Sequence, residues 1–358
     1  MNVKLEFIEE FLKEIFHKDV KLVSVEGIEI KEGSLKGYGY GMPIIITFQV
    51  EKELKKAVLE TMRADRFGHE YRADRFHSLI LAYESYNKLP KHARVLALGY
   101  FNEEGKLFPL MKFSEPFILV EFIKGNLYYL DLERIRDTAS LNELDIKRCI
   151  SLSNYLADIH SVKSEDKEIY VRRIRELLGH GECIMGLIDS YPTKSEFYDE
   201  NFFIKIEKRL IEWRWKLKKL IHRASQIHGD FHPWNIFFVD EADFVLNDRS
   251  RGEFGEPADD LTALTINYIF FSLQRWNRLE GPFEFLYQKF FENYLKLTND
   301  EEILRVLQPF YAWRALVIAS PIWYPNLKYE TRKALFNFIN NVLESEHFDY
   351  KSVNSLFS

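Results

Sequence analysis

The sequence predicts an α+β chain built as two lobes, a small β-rich one over residues 1–124 and a larger, mainly helical one over residues 125–358. Three observations carry this. Apolar β-runs crowd the segment before Gly125, helical spacing dominates after it, and one polar loop interrupts the helical part just before two short β-runs. At 358 residues, with 46% hydrophobic content, the chain is long enough for two domains and a sizeable core.

Leu5, Ile8, Leu12, Ile15 and Phe16 recur at helical spacing and predict an opening amphipathic helix. A β-run from Leu22 to Ile30 follows, then a glycine-rich stretch from Gly33 to Gly41, then a second strand from Ile44 to Val50. Gly37, Gly39 and Gly41 permit a tight turn and a close approach of backbone N–H groups to a phosphate, although glycines in a hairpin also serve simply as turn formers. After Lys52, Lys55 and Lys56 a third strand is expected over Ala57–Arg63. The segment from Phe67 to Phe76 enters a helix through Leu79, Ile80, Leu81, Tyr83 and Tyr86, ending near Pro90. Two further β-runs, Ala93–Phe101 and Pro116–Gly125, close the small lobe, and the final glycine marks a hinge.

In the second lobe Ile146, Cys149, Leu152, Tyr155, Leu156 and Ile159 mark a core helix ending at His160, a residue expected to be packed or capping. An amphipathic helix with a basic face is expected over 202–223 and a long apolar helix over 261–273, with two or three more beyond it. The net charge of −6 argues against broad nucleic-acid binding. Two cysteines suit a reducing compartment, the charged N-terminus does not resemble a signal peptide, and no apolar stretch approaches the ~20 residues of a membrane span. A cytoplasmic protein is expected.

The interrupting loop reads Gln226-Ile227-His228-Gly229-Asp230-Phe231-His232-Pro233-Trp234-Asn235 and runs into the β-run Ile236-Phe237-Phe238. A second β-run, Phe244-Val245-Leu246, leads to a lone Asp248. An Asp, an Asn five positions later and a second Asp across a hairpin form the working set of a kinase-type site. One carboxylate handles an acceptor hydroxyl, while the Asn and the second carboxylate hold Mg²⁺ against the phosphates of ATP.

His228-Gly229-Asp230 with Asn235, then Asp248 and Gly255-Glu256-Pro257-Ala258-Asp259-Asp260-Leu261, resemble the aminoglycoside phosphotransferase family and its choline, homoserine and fructosamine kinase members. The likeness runs from about Ser24 to the end of the chain and includes Leu156-Ala157-Asp158-Ile159-His160. It implies the two-lobed protein-kinase-like fold, with ATP and Mg²⁺ used to phosphorylate a hydroxyl of a sugar, amino sugar, amino alcohol or aminoglycoside. Under it Asp230 would be the catalytic base or hydroxyl-orienting group, Asn235 and Asp248 the Mg²⁺ ligands and His228 a support of the loop. Asp260 would be a structural acid steadying that loop. The adenine would bond backbone groups around Glu121 to Ile123.

The pattern departs from the family in the third strand, where Glu60 stands at the place of the phosphate-binding lysine; Lys55, Lys56 and Arg63 are the alternatives, with Glu70 or Asp74 as an acidic partner. Arg249 and Arg251 follow Asp248 and would lie near the phosphates or form structural pairs with Glu253 or Glu256. Tyr191, Trp323 and Tyr324, with Trp313, are aromatic candidates for the acceptor cleft. Two other classes compete: a pseudokinase that binds nucleotide as a module, and a metal hydrolase using the His and Asp of the loop. The first is separated by whether Mg²⁺ adds to stabilisation by ATP, the second by stoichiometric transition metal in the purified protein.

Overall fold

The structure, a computed structural model, describes residues 5–27, 43–88, 90, 93–110, 118–193, 195–249 and 251–358. It divides into two units, Met1–Val120 and Glu121–Ser358: a small sheet-rich part and a larger helical one.

In the first unit helix α1 (Leu5–Phe16) precedes an antiparallel meander of β1 (Val20–Gly27), β2 (Ile44–Val50) and β3 (Glu53–Leu59). Ile8 and Leu12 of α1 bury themselves against Val20, Ile46, Phe48 and Val50, so one face of the sheet becomes the core. Helix α2 (Arg72–Tyr86) opens on a capping interaction in which the Tyr71 N–H donates to Asp74 Oδ2 at 2.7 Å. The hairpin of β4 (Gly99–Phe101) and β5 (Leu107–Pro109) completes the unit and adds Leu107 to its core.

Three expectations for this unit need correction. The third strand starts at Glu53 rather than Ala57, because a two-residue turn with Glu51 at φ 57° reverses the chain directly after β2 and pairs Val50 with Glu53. Glu60 therefore lies beyond the strand. Lys55 stands opposite Phe48, on the face of Ala57 and Leu59, whereas Lys56 stands opposite Thr47 on the other face. The run Ala93–Phe101 is a strand only from Gly99, the point at which β5 pairs with it. Residues 118–125 of the last expected strand form none. Ile118, Leu119 and Phe122 are 85%, 93% and 92% exposed, and among the described residues no strand hydrogen-bonds to this run. Apolar β-formers without a partner do not make a strand.

The second unit begins with β6 (Asn126–Leu127) and α3 (Tyr128–Thr138). Gly125, just before β6, runs so close to the sheet that a Cβ there would lie 2.8 Å from the Phe238 carbonyl oxygen. Helix α4 (Glu143–Ser161) is capped reciprocally by Asn142 and Asp145, each accepting from the other's N–H at 2.9 Å. Then come α5 (Ile169–Gly179), α6 (Ile184–Asp189) and α7 (Glu200–Leu217), the last shorter than expected because the chain tightens into a 3-10 turn at Ile221–Arg223.

Four short strands follow: β7 (Ser225–Gln226), β8 (Ile236–Asp240), β9 (Asp243–Leu246) and β10 (Phe254–Gly255). They form two small sheets, β6-β8-β9 and β7-β10. Helices α8 (Ala258–Trp276), α9 (Gly281–Thr298), α10 (Leu307–Ala319) and α11 (Tyr329–Glu344) complete the chain. Helix α8 is buried on every side from Ala258 to Leu273, as its all-round apolar sequence requires, and packs against α3, α9, α10 and α11. Among the described residues no helix is long and apolar enough to cross a membrane.

Candidate active site

The loop that links β7 to β8 is held from below by the first turn of α8. Asp260, fully buried, accepts the backbone N–H of His228 at 2.8 Å on Oδ2 and that of Gly229 at 2.7 Å on Oδ1. His160, at the end of α4, reaches Asp260 Oδ2 through Nε2 at 3.2 Å, and its Nδ1 meets the Tyr294 hydroxyl at 2.9 Å. The packed histidine expected from sequence is thus the brace of the acid that carries the loop. Burial alone would raise the Asp260 carboxyl; the hydrogen bond and charge of His160, with His228, outweigh it and pull the group below the usual carboxylate range.

Side-chain packing fixes the same loop from above. Phe231 is fully buried and stacks on Tyr155 at 5.9 Å, and Trp234 stacks on Tyr129 at 5.1 Å. Gly229 adopts φ 87°, and a Cβ there would lie 3.1 Å from Arg251 Cβ, so the turn suits glycine alone. The Asp230 N–H approaches His228 Nδ1 at 3.3 Å, the His232 N–H donates to the Asp230 carbonyl at 2.9 Å, and the Asn235 N–H donates to the His232 carbonyl at 2.9 Å. Burial pushes the His228 imidazole below its ordinary range against the pull of Asp260 and Asp230.

The β8–β9 hairpin then brings the second carboxylate to the loop. Ile236 pairs with Leu246, and the Asn247 N–H donates to the Asn235 carbonyl at 3.0 Å, so Asp248 follows one residue beyond Asn235's backbone partner. Asn235 is buried and its Nδ2 donates to the Asp230 carbonyl at 3.0 Å, which makes the amide oxygen the end of the side chain that a cation would meet. Asp248 is exposed and adopts φ 58°, a left-handed conformation that costs a non-glycine residue free energy and that clusters at functional positions. Carboxylate and amide oxygens are hard donors of the kind that hold Mg²⁺ when phosphates complete the shell.

Asp230 itself is tied to a residue that the sequence did not single out. Arg314 of α10 donates through Nη1 to Asp230 Oδ1 at 2.5 Å, and through Nη2 to the Gly229 carbonyl at 3.1 Å and to Asp259 Oδ1 at 2.7 Å. His232 Nε2 lies 3.5 Å from Asp230 Oδ2. Burial would raise the Asp230 carboxyl, but the charge of Arg314, with His232 and Arg251, overrides it and holds the group well below the usual range. Asp259, in contrast, is raised, because burial there outweighs Arg314 and Arg173. No local pattern marks Arg314: it lies 84 positions from Asp230 inside a helix that otherwise reads as core.

The other residues singled out from the sequence differ in what they contact. Arg249 is engaged with backbone, donating to the Ile227 carbonyl at 3.0 and 2.9 Å and to the Glu253 carbonyl at 3.0 Å; its guanidinium is a staple for the loop. Arg251 pairs with Glu182 at 3.3 Å and lies over the Trp313 ring at 4.9 Å. Glu256, offered as an alternative partner for these arginines, instead takes Arg223 in a two-point pair at 2.8 Å on each oxygen and accepts from the Tyr170 hydroxyl at 2.6 Å. Tyr191 is core: it is buried among Tyr198, Phe203 and Phe336, with its hydroxyl donating to the Leu316 carbonyl at 2.5 Å. Trp313 is buried as well, at 1% exposure. Tyr324 packs edge-on to Phe270 at 5.2 Å, whereas Trp323 is 64% exposed. Glu121 is exposed and Ile123 half-buried in the strandless segment before β6. Gly37, Gly39 and Gly41 lie outside the described residues.

No protein-family model matches the sequence, and no curated protein matches it. Among solved structures the chain is similar to small-molecule kinases. A choline kinase from Cryptosporidium parvum is 14% identical, with 93% of this chain and 87% of that chain covered, at a TM-score of 0.35. An amicoumacin kinase in complex with AMP-PNP and Ca²⁺ is 14% identical over 91% of both chains, at a TM-score of 0.42. A spectinomycin phosphotransferase in complex with ADP is 14% identical, covering 100% of this chain and 98% of that one, at a TM-score of 0.29.

Proposed function

We propose that the chain is a phosphotransferase that moves the γ-phosphate of ATP, with Mg²⁺, to a hydroxyl of a small molecule. One observation supports this reading: a braced loop carries Asp230 and Asn235, and the Asn247 N–H bond to the Asn235 carbonyl ties the hairpin strand leading to Asp248 to that loop. Asp230 orients the acceptor hydroxyl and takes its proton late, a role suited to a carboxylate that stays ionised across the physiological range. Asn235 and Asp248 are the residues that would hold Mg²⁺, whose contribution is to neutralise charge on the phosphates. His228, Asp260 and His160 act on the loop and leave the reacting atoms to Asp230.

Of the candidate lysines, Lys56 is favoured for the phosphates because it stands on the sheet face that α1 leaves free, whereas Lys55 shares the core face and pairs with Glu53 at 3.3 Å. Gly37, Gly39 and Gly41, and the backbone around Glu121 and Ile123, are kept as separate candidates for nucleotide contact in this proposal. Sugars, amino sugars, amino alcohols and aminoglycoside-like compounds are the acceptor classes to test.

The test is an ADP-release screen over hydroxyl-bearing metabolites with Asp230→Ala as the blank. A true acceptor raises ADP release on the order of 10²-fold or more above that variant, while ATP binding by the variant is retained. If Asp230→Ala supports the same acceptor-dependent release as the parent chain, the assignment fails.

A further inference from the structure

No role proposed above belongs to Arg314, yet it makes three hydrogen bonds at the site. It is 7% exposed, lies with its guanidinium 3.9 Å from the Trp313 ring centre and contacts two carboxylates and one carbonyl at once. It is also one rung of a ladder of alternating charge. Asp230 meets Arg314 at 2.5 Å, Arg314 meets Asp259 at 2.7 Å, Asp259 meets Arg173 at 3.7 Å, and Arg173 meets Glu176 at 2.7 Å. The ladder therefore joins the loop to α10, α8 and α5.

Stability alone does not call for such an arrangement. Buried ion pairs are replaced by apolar side chains of similar volume at little cost or with a gain, because desolvation consumes most of the Coulombic attraction. What a planar, two-pronged guanidinium supplies is orientation. Gly229 fixes the backbone on one side of Asp230, and Arg314 grips both the Gly229 carbonyl and Asp230 Oδ1. Asp230 Oδ2, which among the described residues meets only His232 Nε2 at 3.5 Å, is the oxygen that remains to meet a hydroxyl.

We propose that Arg314 is the positioning residue of the site, clamping the Asp230 carboxylate through Oδ1 so that Oδ2 faces the acceptor. This rests on Asp230 being the group that orients the acceptor. Arg314 touches no reacting atom; it acts through Asp230, and the charge ladder holds it in turn.

The experiment compares Arg314→Lys and Arg314→Gln with the parent in the full chain, alone and in an Asp230→Asn background. The readouts are ADP release from Mg-ATP with water as acceptor, and crystal structures of each single variant. Arg314→Gln is expected to lower kcat on the order of 10²-fold with the KM for ATP changed less than about twofold, and Arg314→Lys to recover about tenfold of that loss. In the Asp230→Asn background the same change should cost less than about threefold, since residues acting as one unit are not additive. In crystals the Asp230 carboxylate should keep its orientation in Arg314→Lys and turn in Arg314→Gln. An unaltered kcat, a loss confined to KM, an equal cost in the Asp230→Asn background or an unmoved carboxylate would each overturn the proposal. If the parent chain releases no ADP with water or with any alcohol offered, the phosphotransferase reading falls, and the carboxylate orientation still decides the role of Arg314. Should Arg314→Gln fail to fold because Asp259 is left unpaired, Asp259→Asn with Arg314→Gln removes that buried charge and is used for the same measurements.

Discussion

Replacing Asp260 by Asn tests the physical core of the site. The carboxylate is fully buried and serves three donors: the N–H groups of His228 and Gly229, at 2.8 and 2.7 Å, and His160 Nε2 at 3.2 Å. An Asn of the same shape offers one acceptor oxygen, and its NH₂ faces a donor where the second oxygen stood. One charge-assisted bond is lost, worth about 1.5–3 kcal/mol, and one buried N–H is left unsatisfied at a further cost of about 1–3 kcal/mol. The expected loss is about 3–5 kcal/mol, which for a unit of this size lowers Tm by roughly 6–20 °C.

Urea denaturation and thermal melts of the full chain at pH 7, followed by tryptophan fluorescence, measure it. The effect also has a pH signature. The Asp260 carboxyl is held below its unfolded value, so its contribution is present above the unfolded pKa of about 4 and is lost as pH falls from there toward the folded value. The gap between parent and variant should therefore close below about pH 4. A variant within about 0.5 kcal/mol of the parent at pH 7, or a gap that does not change with pH, would refute the reasoning.

Three further outcomes are expected. Asp248→Ala should remove the Mg²⁺-dependent part of the stabilisation by ATP, which in the parent reaches about 2.7 kcal/mol at ligand concentrations of 100 Kd, as thermal shift with and without Mg²⁺ will show. Arg223→Met strips Glu256 and Asp300 of their shared partner, and since Glu256 is buried the loss should be about 3–5 kcal/mol by urea melt. Tyr191→Phe removes only the bond to the Leu316 carbonyl, so it should cost about 1 kcal/mol in stability and leave acceptor preference in the ADP-release assay unchanged. A change in preference would return Tyr191 to the acceptor site.

Local patterns made the centre of the candidate site legible. Asp230, Asn235 and Asp248 lie on one loop and one hairpin, where sequence offset and spatial offset are nearly the same quantity, so a motif read along the chain is already a geometry. The large helices were legible for a similar reason: apolar spacing over many residues reports the period of the backbone. Reading failed where a partner decides. The run from Ile118 to Ile123 has the composition of a strand and no described strand beside it, and the Lys55-Lys56 pair reads as preceding the third strand until the tight reversal at Glu51 and Lys52 assigns it to β3.

The sequence by itself determined the two-part α+β organisation, the helices and the offsets of the acid and amide groups, because each depends on residues close along the chain. Only the tertiary structure decided which charges meet. It placed Arg314 on Asp230 across 84 residues, stapled Arg249 to backbone, braced Asp260 with His160 and buried Tyr191. Those outcomes depend on how helices pack. A side chain's type states what bonds it can make, and only its neighbours in space settle which of them it does make.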